Sequence, residues 1–188
     1  CEGLFFTDVK RRGKFLILKL SSNDHLVFHF MLTGYLYYLP TGQVVPPEVA
    51  ANSRVAFLFT TSSQLIMADR RNLGKLFFVN DAQFNVVPLL NKIGTEPLSP
   101  EFTFSLFKRL AAKAGARKVK DFLVDQRFIA GIGNIYSDQI MWQAHVRPDR
   151  EVASLSEEEL KLIYQKIKKE LQLGLETVLK GKNLRQIC

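Results

Sequence analysis

Residues 14–79 alternate between apolar and polar positions with a period of two. The runs KFLILKL (14–20), HLVFHFML (25–32), GYLYYL (34–39), RVAFLFT (54–60), QLIMAD (64–69) and LGKLFFV (73–79) are rich in Phe, Leu, Val and Tyr. Polar turns such as SSND and TTSS separate several of them. Alternation puts every second side chain on one face of a strand, so the pattern predicts six short strands forming an antiparallel sheet or sandwich. The Pro-rich stretch PTGQVVPPEVAAN (40–52) reads as a loop between strands.

The period changes near NKIGTEPLSP (91–100), where a Gly and two prolines mark a boundary. Beyond it the apolar spacing predicts helices over 101–114, 118–128, 134–145 and 156–180. Ser156 and Glu159 complete an S-x-x-E capping box for the last of these, with Leu155 and Leu160 placed as a hydrophobic staple. The expectation is an α+β chain with a β-sandwich domain over 1–92 and a helical domain over 93–188.

Composition supports a folded chain: 47% of the 188 residues are hydrophobic, enough for packed cores. No apolar run approaches the roughly 18 residues of a membrane span. The opening CEGLFFTDVKRRGK has no basic stretch followed by a long apolar run. An intracellular, cytoplasmic chain with no membrane partner is expected. The two cysteines, Cys1 and Cys188, stand at opposite ends. They supply neither a disulfide framework nor a four-thiolate zinc site, so no metal is expected in these residues.

Charge changes the picture further. The net charge is +8, and residues 104–150 carry nine Lys and Arg against four Asp. Within that region lies VDQRFIAGIGNIYSDQI (124–140). Gly131 and Gly133 permit positive φ and close approach of another backbone, and Asn134 suits a helix N-cap. A tight helix–helix turn and an anion site at a helix N-terminus both fit, and the surrounding cations favour a phosphate. VKRRGKFLILKL (9–20) brings four cations to a strand mouth, as a solvated edge or as an anion site beside Lys14. Arg70 and Arg71 stand on a short link, solvated or entering a DNA groove. His29, among apolar neighbours, reads as a structural hydrogen-bonder.

In this order and spacing, KRRGKFLILKL, HFMLTGYL, ADRRNLGKL, IGTEPLSPEF and VKDFLVDQRFIAGIGNIYSDQIMWQAHVRPDR closely resemble the formamidopyrimidine-DNA glycosylase and endonuclease VIII family. The bacterial formamidopyrimidine-DNA glycosylase branch is the nearer one. The resemblance spans essentially the whole chain, and DQ…AGIGNIY…A…P carries its helix–two-turn–helix signature. It implies an antiparallel β-sandwich followed by a helical domain, with double-stranded DNA bound between them.

The resemblance also implies roles. Lys14 matches the R-R-G-K lysine that holds a phosphate near the lesion and assists β-elimination, so it is the candidate catalytic residue. Asn134, with the N–H groups of Gly131 and Gly133, matches the backbone-phosphate contact, and Lys120 matches a lysine near the flipped lesion. Arg71, Leu32 and Leu73 match the side chains that fill the void left by the flipped base. Leu32 replaces a usual Met and Leu73 a usual Phe. HFML stands for H-L-G-M, DRRNLG for D-P-R-R-F-G, and Gln139 for a common Glu. The family's His before the run RVAFLFT is replaced around Asn52–Arg54.

The family's nucleophile is an N-terminal Pro amine with an adjacent Glu, placed well upstream of the R-R-G-K lysine. Only 13 residues precede Lys14 here, and the sandwich is expected to be incomplete for the same reason. Cys1 carries an α-amine that is a nucleophile in principle, but CEG fits the ordinary approach to R-R-G-K better than a catalytic start. No C-x-x-C pair follows the helices, so zinc is expected only where a C-terminal finger is present. The resulting expectation is a monomeric base-excision-repair chain. In the complete protein it excises 8-oxoguanine or formamidopyrimidine from duplex DNA and cuts at the abasic site by Schiff-base chemistry. A non-catalytic damaged-DNA-binding relative, and a protein-interaction domain whose basic face serves only solubility, are the alternatives.

Overall fold

Seven antiparallel strands fill the first half of the chain. They are β1 (Phe6–Arg12), β2 (Phe15–Leu20), β3 (Asp24–His29), β4 (Gly34–Leu39), β5 (Ser53–Leu58), β6 (Gln64–Asp69) and β7 (Lys75–Asn80), with a short helix α1 (Pro47–Asn52) before β5. The structure, a computed structural model, describes residues 2–180. The chain divides after Val87 into two compact units, 1–87 and 88–188.

In the first unit the strands form two sheets, ordered β1-β2-β3-β7 and β4-β6-β5. Leu18, Leu20, Leu26 and Phe28 of one sheet meet Met67, Leu65, Leu36, Val55 and Phe57 of the other in a shared core. This is the sandwich that the alternation predicts. The pleat of β6 shows why: Leu65 and Met67 point into that core, while Ile66 and Ala68 face the opposite way, against Val49 of α1. β3 is buried on both faces. Its outer face is covered by the 3-10 turn Asp81–Val86, where Phe84 packs on His25 at 4.7 Å and Asp81 pairs with His25 Nε2 at 2.7 Å.

Two elements depart from the sequence expectation. β1 (FTDVKRR) carries little apolar surface, and the backbone ladder with β2 from Phe6↔Leu20 to Arg12↔Phe15 holds it in place. The Pro-rich stretch contains α1, where Pro47 at the first helical position needs no N–H partner and Asn52 Nδ2 donates to the Glu48 carbonyl at 2.7 Å.

The second unit contains α2 (Phe104–Ala114), α3 (Val119–Val124), α4 (Asn134–Gln143) and α5 (Glu157–Leu179). Phe107, Ala111 and Ala114 of α2 recur at helical spacing and join Phe102, Phe122, Leu123, Ile129, Ile132, Ile140, Ile163 and Ile167 in one core. Thr103 caps α2 by accepting from the Leu106 N–H at 3.2 Å. The Ser156–Glu159 capping box of α5 forms as the sequence predicts, with bonds of 3.2 and 2.8 Å. Leu155 and Leu160 pack against the same core. Gly174 of α5 faces Tyr136 of α4, and a Cβ there would collide with the tyrosine hydroxyl. The third helix is shorter than expected. It stops at Val124, and two turns carry the chain to α4, completing a helix–two-turn–helix.

Candidate nucleic-acid interface

In the first unit the predicted residues gather at one end of the sandwich. Gly13 and Lys14 form the two-residue turn between β1 and β2, because Arg12 and Phe15 are already ladder partners. Gly13 has φ 55°, the left-handed conformation such a turn requires. Lys14 therefore stands at the hairpin tip and not inside a strand. It is exposed by area, yet enough protein surrounds its ammonium for burial to push the pKa below the usual lysine value.

The ladder continues across the sheet. Phe15 pairs with His29, and His29 pairs with Lys75. The Phe15 and His29 rings meet edge to face at 4.7 Å. The Met31 N–H donates to His29 Nδ1 at 3.3 Å, so the neutral ring carries its proton on Nε2. Burial lowers the His29 pKa first, and the charges of Lys14 and Lys75 lower it further. His29 is thus the structural hydrogen-bonder that the sequence suggests. It also lies between two lysines, Lys75 across the ladder and Lys14 next to its partner Phe15 at the hairpin tip, a cluster that period-two alternation alone does not disclose.

The three candidate wedge residues lie on two adjoining loops. Leu32 is 68% exposed on the link between β3 and β4, following Met31 at φ 51°. Arg71 and Leu73 are exposed on the link between β6 and β7, where Asn72 has φ 54°. Leu73 and Gly74, read as strand from their alternation, belong to this loop, since β7 begins at Lys75. Buried Asp69, at the end of β6, receives the N–H groups of Arg71, Leu73 and Gly74.

In the second unit the GIGN turn is built differently from the expectation. Asn134 is the first residue of α4 and not its cap. Gly133 takes the cap position, and no side chain caps the helix. Gly131 has φ 83°, but Gly133 is extended at φ −119°. The Gly131 N–H donates to Gln126 Oε1 at 2.8 Å, so it is already engaged. Gln126 Nε2 donates to the carbonyls of Val124 and Ile132, each at 2.8 Å. One amide therefore holds both turns while Ile132 anchors in the core. The anion-facing donors left at this end are the N–H groups at the start of α4, beside the exposed Asn134 side chain.

Lys120 of α3 pairs with Asp138 of α4. Asp138 follows Asn134 by four residues, so both lie on one helix face and Lys120 is brought to that face. The local cation surplus is largely paired in the same way. Lys108 meets Glu157, Arg117 and Arg127 share Asp125, Arg147 meets Asp149 and Arg150 meets Glu159. The Arg127 hydrogen bond, foremost, holds the Asp125 carboxyl below its usual pKa. Where both partners are exposed, as in Lys108–Glu157 and Arg147–Asp149, such a pair stabilises by only about 0–1 kcal/mol, so a phosphate can displace the acid at little cost.

Among the described residues, no group of three or more His, Cys, Asp or Glu is placed to hold a metal ion. Among them, too, no helix is long and apolar enough to cross a membrane. Cys1 and Cys188 lie outside the described residues.

Comparison with known proteins agrees with this architecture. Residues 1–76 match the formamidopyrimidine-DNA glycosylase N-terminal domain, and residues 93–185 match the formamidopyrimidine-DNA glycosylase H2TH domain. The chain is 37% identical over 175 residues to the formamidopyrimidine-DNA glycosylase of Thermus thermophilus, covering 93% of this chain and 61% of that protein. It is similar to the crystal structure of Lactococcus lactis formamidopyrimidine-DNA glycosylase bound to DNA containing an AP site. There the TM-score is 0.81 at 28% identity, with 93% of this chain and 65% of that one covered. It is also similar to MutM in complex with DNA containing carbocyclic 8-oxo-G, with TM-score 0.80, 28% identity and coverage of 96% and 65%. The chain spans about three-fifths of the length of the relatives it matches. Its sheets, its helix–two-turn–helix and these matches place the chain in the formamidopyrimidine-DNA glycosylase family.

Proposed function

We propose that this chain carries the phosphate-gripping and void-filling parts of a DNA glycosylase with AP lyase activity. The enzyme acts on oxidised purines, 8-oxoguanine or formamidopyrimidine, in duplex DNA. The observation that carries this reading is the cluster of Lys14, His29 and Lys75 beside the two loops bearing Leu32, Arg71 and Leu73. Similar proteins crystallised with AP-site and 8-oxo-G DNA support it.

Each residue has a task that its chemistry suits. Lys14, whose surroundings disfavour its charge, gains when a phosphate arrives and becomes a point-charge clamp beside the sugar. There it steadies the phosphate that leaves in β-elimination. His29 offers its Nε2–H to the same strand. Asn134 and the first N–H groups of α4 receive a second phosphate, with Lys120 exchanging Asp138 for it. Leu32, Arg71 and Leu73 occupy the gap once a base leaves the stack, offsetting the few kcal/mol of unstacking. The amine that attacks C1′ is not among these side chains.

The test is binding of the full chain to a duplex with a tetrahydrofuran abasic-site analogue. Affinity should fall steeply with added salt, because phosphate contacts release counterions. Lys14→Ala and Asn134→Ala should each weaken binding by roughly tenfold, the loss of one charge-assisted hydrogen bond. Salt-independent binding, or unchanged affinity in both variants, would overturn the assignment. Borohydride trapping on natural abasic DNA, run alongside, reports whether an amine in the protein forms the Schiff base.

A further inference from the structure

Both loops that carry wedge side chains converge on one buried carboxylate. Asp69, 1% exposed, ends β6 and accepts at both oxygens. Oδ1 takes the Arg71 N–H at 3.1 Å and the Thr33 hydroxyl. Oδ2 takes the N–H groups of Leu73 at 2.7 Å and Gly74 at 2.6 Å. The Asp69 carbonyl accepts from Arg54 Nε at 3.0 Å and Nη2 at 2.8 Å, clamping the root of the loop from β5.

A carboxylate that only shaped its own loop would need just the N–H groups of Arg71, Leu73 and Gly74. The Thr33 bond is different, because it crosses to the other loop, where Thr33 directly follows Leu32. Thr33 Oγ1 also accepts the Arg71 N–H at 3.2 Å, so a second bond joins the two links. The first loop is closed on itself by the Gly34 N–H to the Phe30 carbonyl at 2.9 Å. A Cβ at Gly34 would press on that carbonyl oxygen at 2.7 Å, which keeps the turn tight. Two stiff loops joined at their roots move together.

We infer that Asp69, acting through the Thr33 hydroxyl, couples the two wedge loops, so that Leu32 enters the vacated base position together with Arg71 and Leu73. Asp69 and Thr33 are positioning residues and touch no DNA. All four donors point at Asp69 and it offers none in return, so an acceptor-only carboxylate fits where an amide would set NH₂ against N–H. This inference rests on the void-filling role proposed for the loops.

The test places 2-aminopurine opposite a tetrahydrofuran site in duplex DNA and reads its fluorescence at saturating full-length chain. Thr33→Val removes the hydroxyl and keeps the shape, and should lose most of the wild-type response while the chain stays folded, with a melting temperature lower by only several degrees. Thr33→Ser should restore it. In the wild-type background, Leu32→Ala and Arg71→Ala should act non-additively on the signal, and in Thr33→Val they should become additive. A wild-type response in Thr33→Val, or loss in both Thr33 variants, overturns the coupling and leaves the DNA reading standing. Absence of binding by the wild-type chain overturns the DNA reading itself. Asp69→Asn is a secondary variant, because its buried amide can also destabilise the sandwich.

Discussion

Lys120 on α3 is ion-paired with Asp138 on α4, one helical turn beyond Asn134. An acid thus occupies the cation at the helix end proposed to receive a phosphate. Its side chain is 64% exposed, so it competes with the DNA without being fixed in place. Asp138→Asn should therefore raise affinity for abasic-site duplex by about two- to fivefold, the scale of one exposed charge contact. Measuring the dissociation constant at two salt concentrations checks this, and weaker binding by the variant would mean that Asp138 orients Lys120 for DNA.

His29 should make stability and DNA binding respond to pH in opposite directions. Its pKa lies below the ordinary value of about 6.5, lowered by burial and by Lys14 and Lys75. As pH drops through about 6.5 the unfolded chain binds more protons than the folded one, so the free protein loses stability. A phosphate beside the ring reverses the preference and favours the proton. Affinity for abasic duplex should rise from about pH 7.5 to about pH 6 more steeply in wild type than in His29→Gln, as read by titrations across that range.

Gln126→Ala should loosen the turns between α3 and α4. Three hydrogen bonds of 2.8 Å are lost, leaving Val124, Ile132 and Gly131 backbone groups without their partner. At about 1 kcal/mol for each bond the cost is about 2–3 kcal/mol. Thermal unfolding should show a Tm lower by roughly 10 °C for the helical unit.

Gly174→Ala sets helix propensity against packing. Alanine is better than glycine in a helix by about 1 kcal/mol. Here its methyl would meet the Tyr136 hydroxyl on α4, and overpacking costs about 1–3 kcal/mol. The clash should win and lower the Tm, and Tyr136→Phe should recover part of the loss by removing the colliding oxygen.

Much of the fold was legible because period-two and period-3.6 spacing report directly on which faces are buried. β1 escaped notice since backbone pairing, not an apolar stripe, holds FTDVKRR. α1 escaped because prolines, read as loop formers, also start helices. The GIGN turn was recognisable as a motif, yet its architect is Gln126, whose amide reaches residues five and six positions away. Nothing in a lone glutamine announces that. Counting Lys and Arg revealed a surplus without revealing that most of those side chains meet an acid. Asp69 stayed hidden for the plainest reason: Thr33 is 36 residues away, and only the pairing of β4 with β6 brings the two together.

The two-residue turn at Gly13–Lys14 leaves the hairpin no slack. One inserted residue there would displace Lys14 from its place near His29 and Lys75, or reverse the facing of everything in β1. Residues 40–46, between β4 and α1, are under no such constraint from a strand ladder. Across relatives, then, this corner should tolerate exchange of side chains but not changes in chain length, and length variation should collect in the segment after β4.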